Sequence, residues 1–119
     1  MFNFPKTITV FTISALASLS SIAQVTYTCS GVPRGVAMAS DGSVLAESLG
    51  GLTWVIFCSV NGGVNNFSAA ACKSFQATLL VAQATGRSVT VWFTNTVGSC
   101  AANPPWGVTP GFYFYRLDG

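Results

Sequence analysis

The chain has 119 residues, of which 50% are hydrophobic and only 7% are charged, and its formal net charge at pH 7 is +2. A charge this small excludes the basic footprint of a nucleic-acid-binding protein and a polybasic patch for membranes. The chain has no histidine, so the most common general base of enzymes is missing as well.

The first 23 residues are typical of a secretory signal peptide. A lysine gives a positive n-region, Ile8 to Leu19 form an apolar h-region, and small residues precede a cleavage site after Ala23. No other apolar run is long enough to cross a bilayer. We therefore expect a secreted or periplasmic protein whose mature part, residues 24–119, is one small domain.

The next segments predict strands. Val25–Ser30 and Val36–Ala39 are expected to form one long strand, bent at the glycines and proline between them. Asp41-Gly42 predicts a two-residue hairpin turn of type I′, in which both residues have positive φ. Ser43–Ser48 is then the returning strand.

Leu52–Val60 (LTWVIFCSV) is the most apolar predicted strand. Strict alternation places Trp54 and Ile56 on one face and Val55 and Phe57 on the other. Because both faces are apolar, we expect this strand in the middle of the domain or at a boundary between subunits.

A helix is predicted over residues 68–85. Asn66 or Ser68 caps its start, and Gly86 supplies the left-handed residue that ends it. One apolar stripe at helical spacing consists of Cys72, Phe75, Leu79 and Ala82. Leu80 and Val81 lie off that stripe. The helix is therefore either sunk deeply in its own core or in contact with a sister subunit.

A strand and a long loop follow the helix. In Val89–Thr94, alternation predicts that Phe93 points inward and Trp92 outward. The segment Asn95–Gly111 is rich in glycine, proline and asparagine and is long for a small domain. We expect it to be either functional or pinned, with Cys100 as one anchor.

Phe112–Leu117 is the last predicted strand, with Phe112 and Phe114 on one face and Tyr113 and Tyr115 on the other. The order is then three strands, a helix and two strands. This order predicts a mainly β domain with one helix, a small OB-fold Greek-key barrel whose helix lies between strands 3 and 4.

The central third of the chain resembles a known family. The matching features are Cys58 on a strand, Cys72 near the helix start, the segment Thr85–Val89 (TGRSV) and the aromatic pair Trp92-Phe93. They are similar to the exported B subunits of bacterial A–B toxins of the subtilase cytotoxin and pertussis-like type. The resemblance implies an OB-fold, a homo-oligomeric ring of five copies, binding to host-cell glycans and a toxin A subunit as partner.

Four cysteines in an exported chain indicate two disulfides. We favour Cys58–Cys72, from the third strand to the helix start, and Cys29–Cys100, from the first strand to the long loop. The rival pairing, Cys58–Cys100 with Cys29–Cys72, stays open. Without a CxxC pair or a histidine, we expect no metal site and no cofactor.

Aromatic side chains with polar tips suit sugars, which makes Trp92, Trp106, Tyr113 and Tyr115 the candidates for glycan contact. Arg34 is the candidate for a carboxylate-bearing sugar. The alternatives are aromatic packing under the loop or against a neighbouring subunit, and a solvated surface arginine. The carboxylates of the mature chain give no sign of a catalytic pair, so we expect no enzymatic activity.

A second function fits the same composition. The chain is then a small disulfide-stapled exported protein-interaction or inhibitor module. In that case the long loop, with Pro104-Pro105-Trp106, contacts the partner protein.

Overall fold

The computed structural model describes residues 23–119, and the predicted signal peptide lies outside these residues except for Ala23. The described part is mainly β with one helix, as predicted. Its elements are β1 (Val25–Gly31), β2 (Arg34–Met38), β3 (Ser43–Leu49), β4 (Leu52–Ser59), α1 (Ala69–Thr85), β5 (Val89–Asn95) and β6 (Phe112–Leu117). They form two antiparallel three-stranded sheets, with strand orders β1-β5-β6 and β2-β3-β4.

The predicted long first strand is two strands, one in each sheet. β1 pairs with β5, and β2 pairs with β3. The chain leaves the first sheet between them, where Pro33 has no N–H to donate and Gly35 has a φ of +59°. The helix therefore lies between β4 and β5. Our placement between strands 3 and 4 is wrong, because it counted β1 and β2 as one strand.

The hairpin between β2 and β3 is present, but its turn differs from the prediction. The Ala39 N–H donates to Ser43 O and the Gly42 N–H donates to Ala39 O, both at 2.9 Å. Gly42 has a φ of +89°, whereas Asp41 is not among the residues with positive φ. The loop is therefore a three-residue turn that ends in one left-handed glycine, and it is not of type I′.

The helix forms as predicted, with both of its ends fixed by local signals. The Ser68 hydroxyl accepts the Ala71 N–H at 3.1 Å, and Gly86 is left-handed with a φ of +69°. The buried residues of α1 are Cys72, Phe75, Leu79 and Ala82, the stripe that the spacing predicts.

The opposite side of α1 is open to solvent in the described chain. Leu80 and Val81 are 46% and 48% exposed. At the same end of the helix, the Gln83 side chain accepts the Val36 N–H of β2 at 2.9 Å, which ties α1 to the edge of the second sheet. The helix thus packs on the core by one stripe and leaves an apolar strip uncovered.

The core between the sheets and the helix is aromatic. Phe57, Phe75, Phe93 and Phe112 are at most 1% exposed. The Phe75 ring centroid lies 5.2 Å from that of Phe57 and 4.9 Å from that of Phe112. Full burial of each such side chain contributes about 1.5–3 kcal/mol. The predicted inward direction of Phe93 is confirmed.

β4 departs from strict alternation. Val55 and Phe57 are fully buried as one face of the strand, but Leu52 is buried with them, whereas Trp54 and Ile56 are half-buried. Trp54 has a φ of +50°, which no extended residue adopts, and this breaks the two-residue period at its position. The predicted division of β4 into two strictly alternating faces is therefore wrong near its start, at Trp54.

Two disulfides are confirmed. Cys29–Cys100 joins β1 to the long loop, and Cys58–Cys72 joins β4 to the first turn of α1. The loop is also held along β4, where Gly107 O accepts the Ile56 N–H at 2.9 Å. The loop between β5 and β6 is therefore pinned at several points.

Candidate functional site

The five candidate ligand-binding residues do not form one site. Trp92 lies on the outer face of the first sheet, Trp106 on the long loop, and Tyr113 beside a surface groove, whereas Tyr115 packs against the core. Arg34 is exposed at the start of β2, opposite Ser48 of β3. These five residues therefore occupy separate places on the protein.

A β-bulge at Tyr113 changes the two faces of β6. Phe114 lies opposite Trp92, but Phe112 lies opposite Phe93, so β6 has one residue more than β5 across this step. Tyr113 is the extra residue, and a bulge of this kind re-aims the side chains on either side of it.

Tyr115 therefore points inward and Phe114 points outward. The Tyr115 ring centroid is 4.8 Å from that of Phe75 in the core, whereas Phe114 is 53% exposed. The prediction that Phe112 and Phe114 share a face is wrong, and Tyr115 contacts the core.

The groove beside Tyr113 is shaped by Asn65, which precedes the helix. Its amide nitrogen donates to Phe57 O at 2.8 Å and to Thr109 O at 2.9 Å, and its amide oxygen accepts the Gly111 N–H at 3.2 Å. The φ of Asn65 is +53°, a value that asparagine tolerates better than most residues. One side chain thus joins β4 to the end of the long loop, directly before β6.

The floor and rim of the groove differ in chemistry. Phe67 and Phe112 stack with centroids 4.6 Å apart and planes 9° apart. Around them lie Asn66, which is exposed and also left-handed at φ +59°, and Tyr113, which is 51% exposed. The complete lining is Gln24, Asn65, Asn66, Phe67, Ala71, Thr94, Gly111, Phe112 and Tyr113.

The groove encloses about 610 Å³ and is open to solvent. This volume falls within the roughly 300–1,000 Å³ typical of sites for small ligands. None of its lining side chains is charged, and the expected cleavage after Ala23 would place the α-amino group of Gln24 at the groove. The groove offers amide and hydroxyl groups beside aromatic rings, so it can hydrogen-bond a ligand and pack against it.

Trp92 points outward, as predicted, but it is not free. The Phe114 ring meets it edge-on, with centroids 5.0 Å apart, and the Arg116 guanidinium lies 5.4 Å from its centre. Such a cation–π contact contributes about 0.5–1 kcal/mol at an exposed site. Its neighbours on the sheet therefore already cover much of this indole.

Asp118 completes that surface. Thr90 Oγ1 donates to its Oδ2 at 2.7 Å, and Arg116 Nε donates to its Oδ1 at 2.8 Å. These hydrogen bonds, with that from Thr90 first, hold the pKa of the Asp118 carboxyl below its ordinary value of 3.8. The carboxylate stays ionised and anchors the end of β6.

The other carboxylates are placed apart. Asp41 Oδ1 accepts the Ser43 N–H at 2.9 Å in the hairpin turn, and this bond lowers the pKa of Asp41. Glu47 lies on β3, beside Gly35 of β2. Among residues 23–119, no group of three histidine, cysteine or acidic residues is arranged to hold a metal ion.

Trp106 stacks on Trp54, and the two ring centroids are 4.9 Å apart at an interplanar angle of 12°. Trp106 is 66% exposed, and its φ is +64°. Two left-handed tryptophans are unusual, since a strained bulky residue of this kind costs about 1–3 kcal/mol.

Sequence reasoning missed three contributors to these surfaces. The outward position of Phe114 was not predicted, because an alternating sequence gives no sign of a β-bulge. Trp54 was assigned by alternation to a strand face, and its stacking partner is 52 residues away. Asn65 had a usable signal, since the pair Asn65-Asn66 before a helix is typical of left-handed turn positions.

Comparisons of this chain with protein-family models, with curated proteins and with solved structures find no match. Among the described residues, no helix has the length and apolar character needed to span a membrane. The two disulfides fit a protein that resides in an oxidising compartment.

Proposed function

We propose that this protein is a secreted, non-enzymatic glycan-binding module similar to the B subunits of subtilase-type and pertussis-like toxins. The observation that carries the proposal is the uncharged groove beside Tyr113, with its stacked aromatic floor and its amide and hydroxyl rim. The chain binds a host-cell glycan there and, in a toxin, serves to attach an A subunit to the cell.

The chemistry of the groove favours a sugar over a charged metabolite. A pyranose ring presents hydroxyls at its edge and C–H groups on its face, and these match hydrogen-bonding side chains beside aromatic rings. Tyr113 and Asn66 supply the exposed polar groups, and the half-buried Phe67, backed by the buried Phe112, supplies the apolar floor. No lysine or arginine lines the groove, and this favours a neutral sugar over one that needs a side-chain cation.

The strand pairing supports an OB-fold barrel for this module. β1 and β2 are consecutive strands in the two different sheets, so the chain passes from one sheet to the other there, as it does along the bent first strand of such a barrel. A parallel bridge between Ile56 and Val108 brings the segment before β6 alongside β4 and so joins the two sheets at their other side. These contacts support a barrel around the aromatic core with α1 at one end.

The uncovered strip of α1 supports assembly of the module with copies of itself. Leu80 and Val81 are about half exposed, and Ala77 lies one turn before them on the same exposed side. Exposed apolar surface on a helix commonly marks a contact with another chain. We propose a homo-oligomeric ring, a pentamer by the toxin resemblance, in which this strip faces the neighbouring copy.

A glycan array with the mature protein tests the lectin proposal. The wild type is expected to bind at least one uncharged glycan, and Tyr113→Ala is expected to weaken that binding by roughly tenfold. Phe114→Ala is the matched control, since its ring has nearly the same exposure, 53% against 51%, but lies outside the groove. No binding by an intact wild-type assembly, or equal loss in the two variants, would contradict the proposal.

Sedimentation of the mature protein tests the ring separately. The wild type is expected to sediment as an oligomer at micromolar concentration, and Leu80→Glu is expected to shift it towards monomer. Met38→Glu is the control, because Met38 on β2 is as exposed as Leu80, at 46%. A monomeric wild type ends the ring proposal and leaves the glycan test unaffected.

A further inference from the structure

The Trp54–Trp106 pair forms a second aromatic surface away from the groove. Trp106 is the most exposed of the large hydrophobic side chains in the described chain. Its ring lies flat on that of Trp54, with the planes only 12° apart. One indole face is therefore covered by Trp54, and the other is open to solvent.

Both tryptophans have a strained backbone conformation. The described residues other than glycine with positive φ are Trp54, Asn65, Asn66 and Trp106. The two asparagines suit this region, whereas a bulky side chain does not. Strained residues of this kind persist where the surrounding structure fixes them, and they cluster at ligand-binding positions.

The surrounding structure does fix this pair. The Trp106 N–H donates to Trp54 O at 2.7 Å, and the Thr109 N–H donates to Ile56 O at 3.1 Å. Cys100, six residues before Trp106, is linked to β1 through its disulfide. The indole is thus held in place before any ligand arrives, which lowers the entropy lost on binding.

We propose that the Trp54–Trp106 pair is a platform for an uncharged oligosaccharide, separate from the groove beside Tyr113. The open indole face stacks on the C–H face of a pyranose ring. No acidic or basic residue occurs between Arg87 and Arg116, so the loop that carries Trp106 has no ionic partner for a charged ligand.

The size of the surface favours a small ligand over a protein. A stable protein interface buries roughly 800 Å² on each partner. Beside Trp106, the long loop exposes one other large hydrophobic side chain, that of Val108 at 46%. A flat indole that is backed by Trp54 and flanked by Val108 and the exposed Pro104 and Pro105 is a small surface, and it matches the face of one or two sugar units. The platform extends the proposed glycan binding, but the groove shares no lining residue with it.

The test titrates the mature protein with three uncharged β-linked probes, cellohexaose, laminarihexaose and chitohexaose, followed by tryptophan fluorescence and calorimetry. At least one probe is expected to bind and to change the fluorescence. Trp106→Ala is expected to weaken that binding by roughly tenfold or more. Phe114→Ala is the control, since Phe114 is exposed but belongs neither to the groove nor to the Trp54–Trp106 pair, and it is expected to bind the same probe as the wild type does.

Trp106→Asn separates a binding role from a structural one. Asparagine accepts a left-handed backbone, so this variant is expected to melt at or above the wild-type temperature while losing the probe. The platform is refuted if no probe binds at millimolar concentration, or if Trp106→Ala binds as the wild type does. It is also refuted if Trp106→Asn melts far below the wild type. A third refuting result would be that the two Trp106 variants lose binding to another protein but bind the oligosaccharide probes as the wild type does. Loss of the probe in Tyr113→Ala together with full binding in Trp106→Ala would assign the probe to the groove and refute the platform.

Discussion

The two disulfides close loops of very different length, and this difference predicts their separate contributions to stability. Cys29 and Cys100 are 71 residues apart in sequence, whereas Cys58 and Cys72 are 14 residues apart. A cross-link stabilises the folded protein chiefly by restricting the unfolded chain, and it does so more strongly for a longer loop. The bridge to the long loop should therefore be the more stabilising of the two.

The loop lengths set the size of the effect. In the chain-entropy description, a separation of 71 corresponds to about 4.4 kcal/mol at 25 °C and a separation of 14 to about 3.0 kcal/mol. Their difference depends only on the ratio of the two lengths and is about 1.4 kcal/mol. Either value is a large part of the 5–15 kcal/mol by which domains are typically stable.

The assay uses two double variants, each with one bridge left. C58A/C72A keeps only the long-range bridge, and C29A/C100A keeps only the short-range one. Each is unfolded in urea at 25 °C with and without dithiothreitol. The shift in the free energy of unfolding on reduction then reports one cross-link at constant side-chain composition, so loss of buried sulfur atoms does not distort the comparison.

We expect the larger shift in C58A/C72A. The reasoning is refuted if reduction destabilises C29A/C100A by as much or more. That result would mean that the local tie between β4 and α1, and not the restriction of the unfolded chain, dominates the stability of the fold.

Three further predictions concern local interactions. Asp118→Asn should make the stability of the protein less sensitive to acid. Because the hydrogen bond from Thr90 lowers the pKa of Asp118 in the folded state, this carboxylate stabilises the fold above its ordinary pKa of 3.8. That stabilisation is lost as the pH falls through the lowered pKa. Melting curves from pH 6 to 2 should therefore converge for variant and wild type at the acidic end, and parallel curves would contradict this. Gly111→Ala should destabilise by about 2–3 kcal/mol in urea unfolding, because φ is +77° there and a methyl group would meet the Thr94 carbonyl; a change below about 1 kcal/mol would refute it. Ser68→Ala should cost about 1 kcal/mol by loss of the helix cap, and Ser68→Gly, its control, should cost less.

Local signals account for the parts of the fold that the sequence predicts well. The helix ends at Gly86 and buries Phe75 and Leu79, because capping and the 3.6-residue period act within a few residues. The direction of Phe93 follows in the same way from the two-residue period of a strand.

The departures arise where distant segments decide the backbone. The bulge at Tyr113 and the left-handed φ of Trp54 lie where β6 and β4 meet the pinned loop. The split between β1 and β2 reflects two different partner strands. None of these contacts is visible in the local pattern, so the faces of β4 and β6, and with them the candidate site, were only partly predictable.

The pinned loop between β5 and β6 also bears on how the protein resists proteases. Proteases cut where a stretch of backbone can detach and thread into their active-site cleft. Here Cys100 forms a disulfide with Cys29, and the backbone of Trp106 and Gly107 is hydrogen-bonded to β4. The loop segments between these attachments are therefore short. This loop should therefore resist digestion while the bridge is oxidised and become cleavable once a reductant opens it.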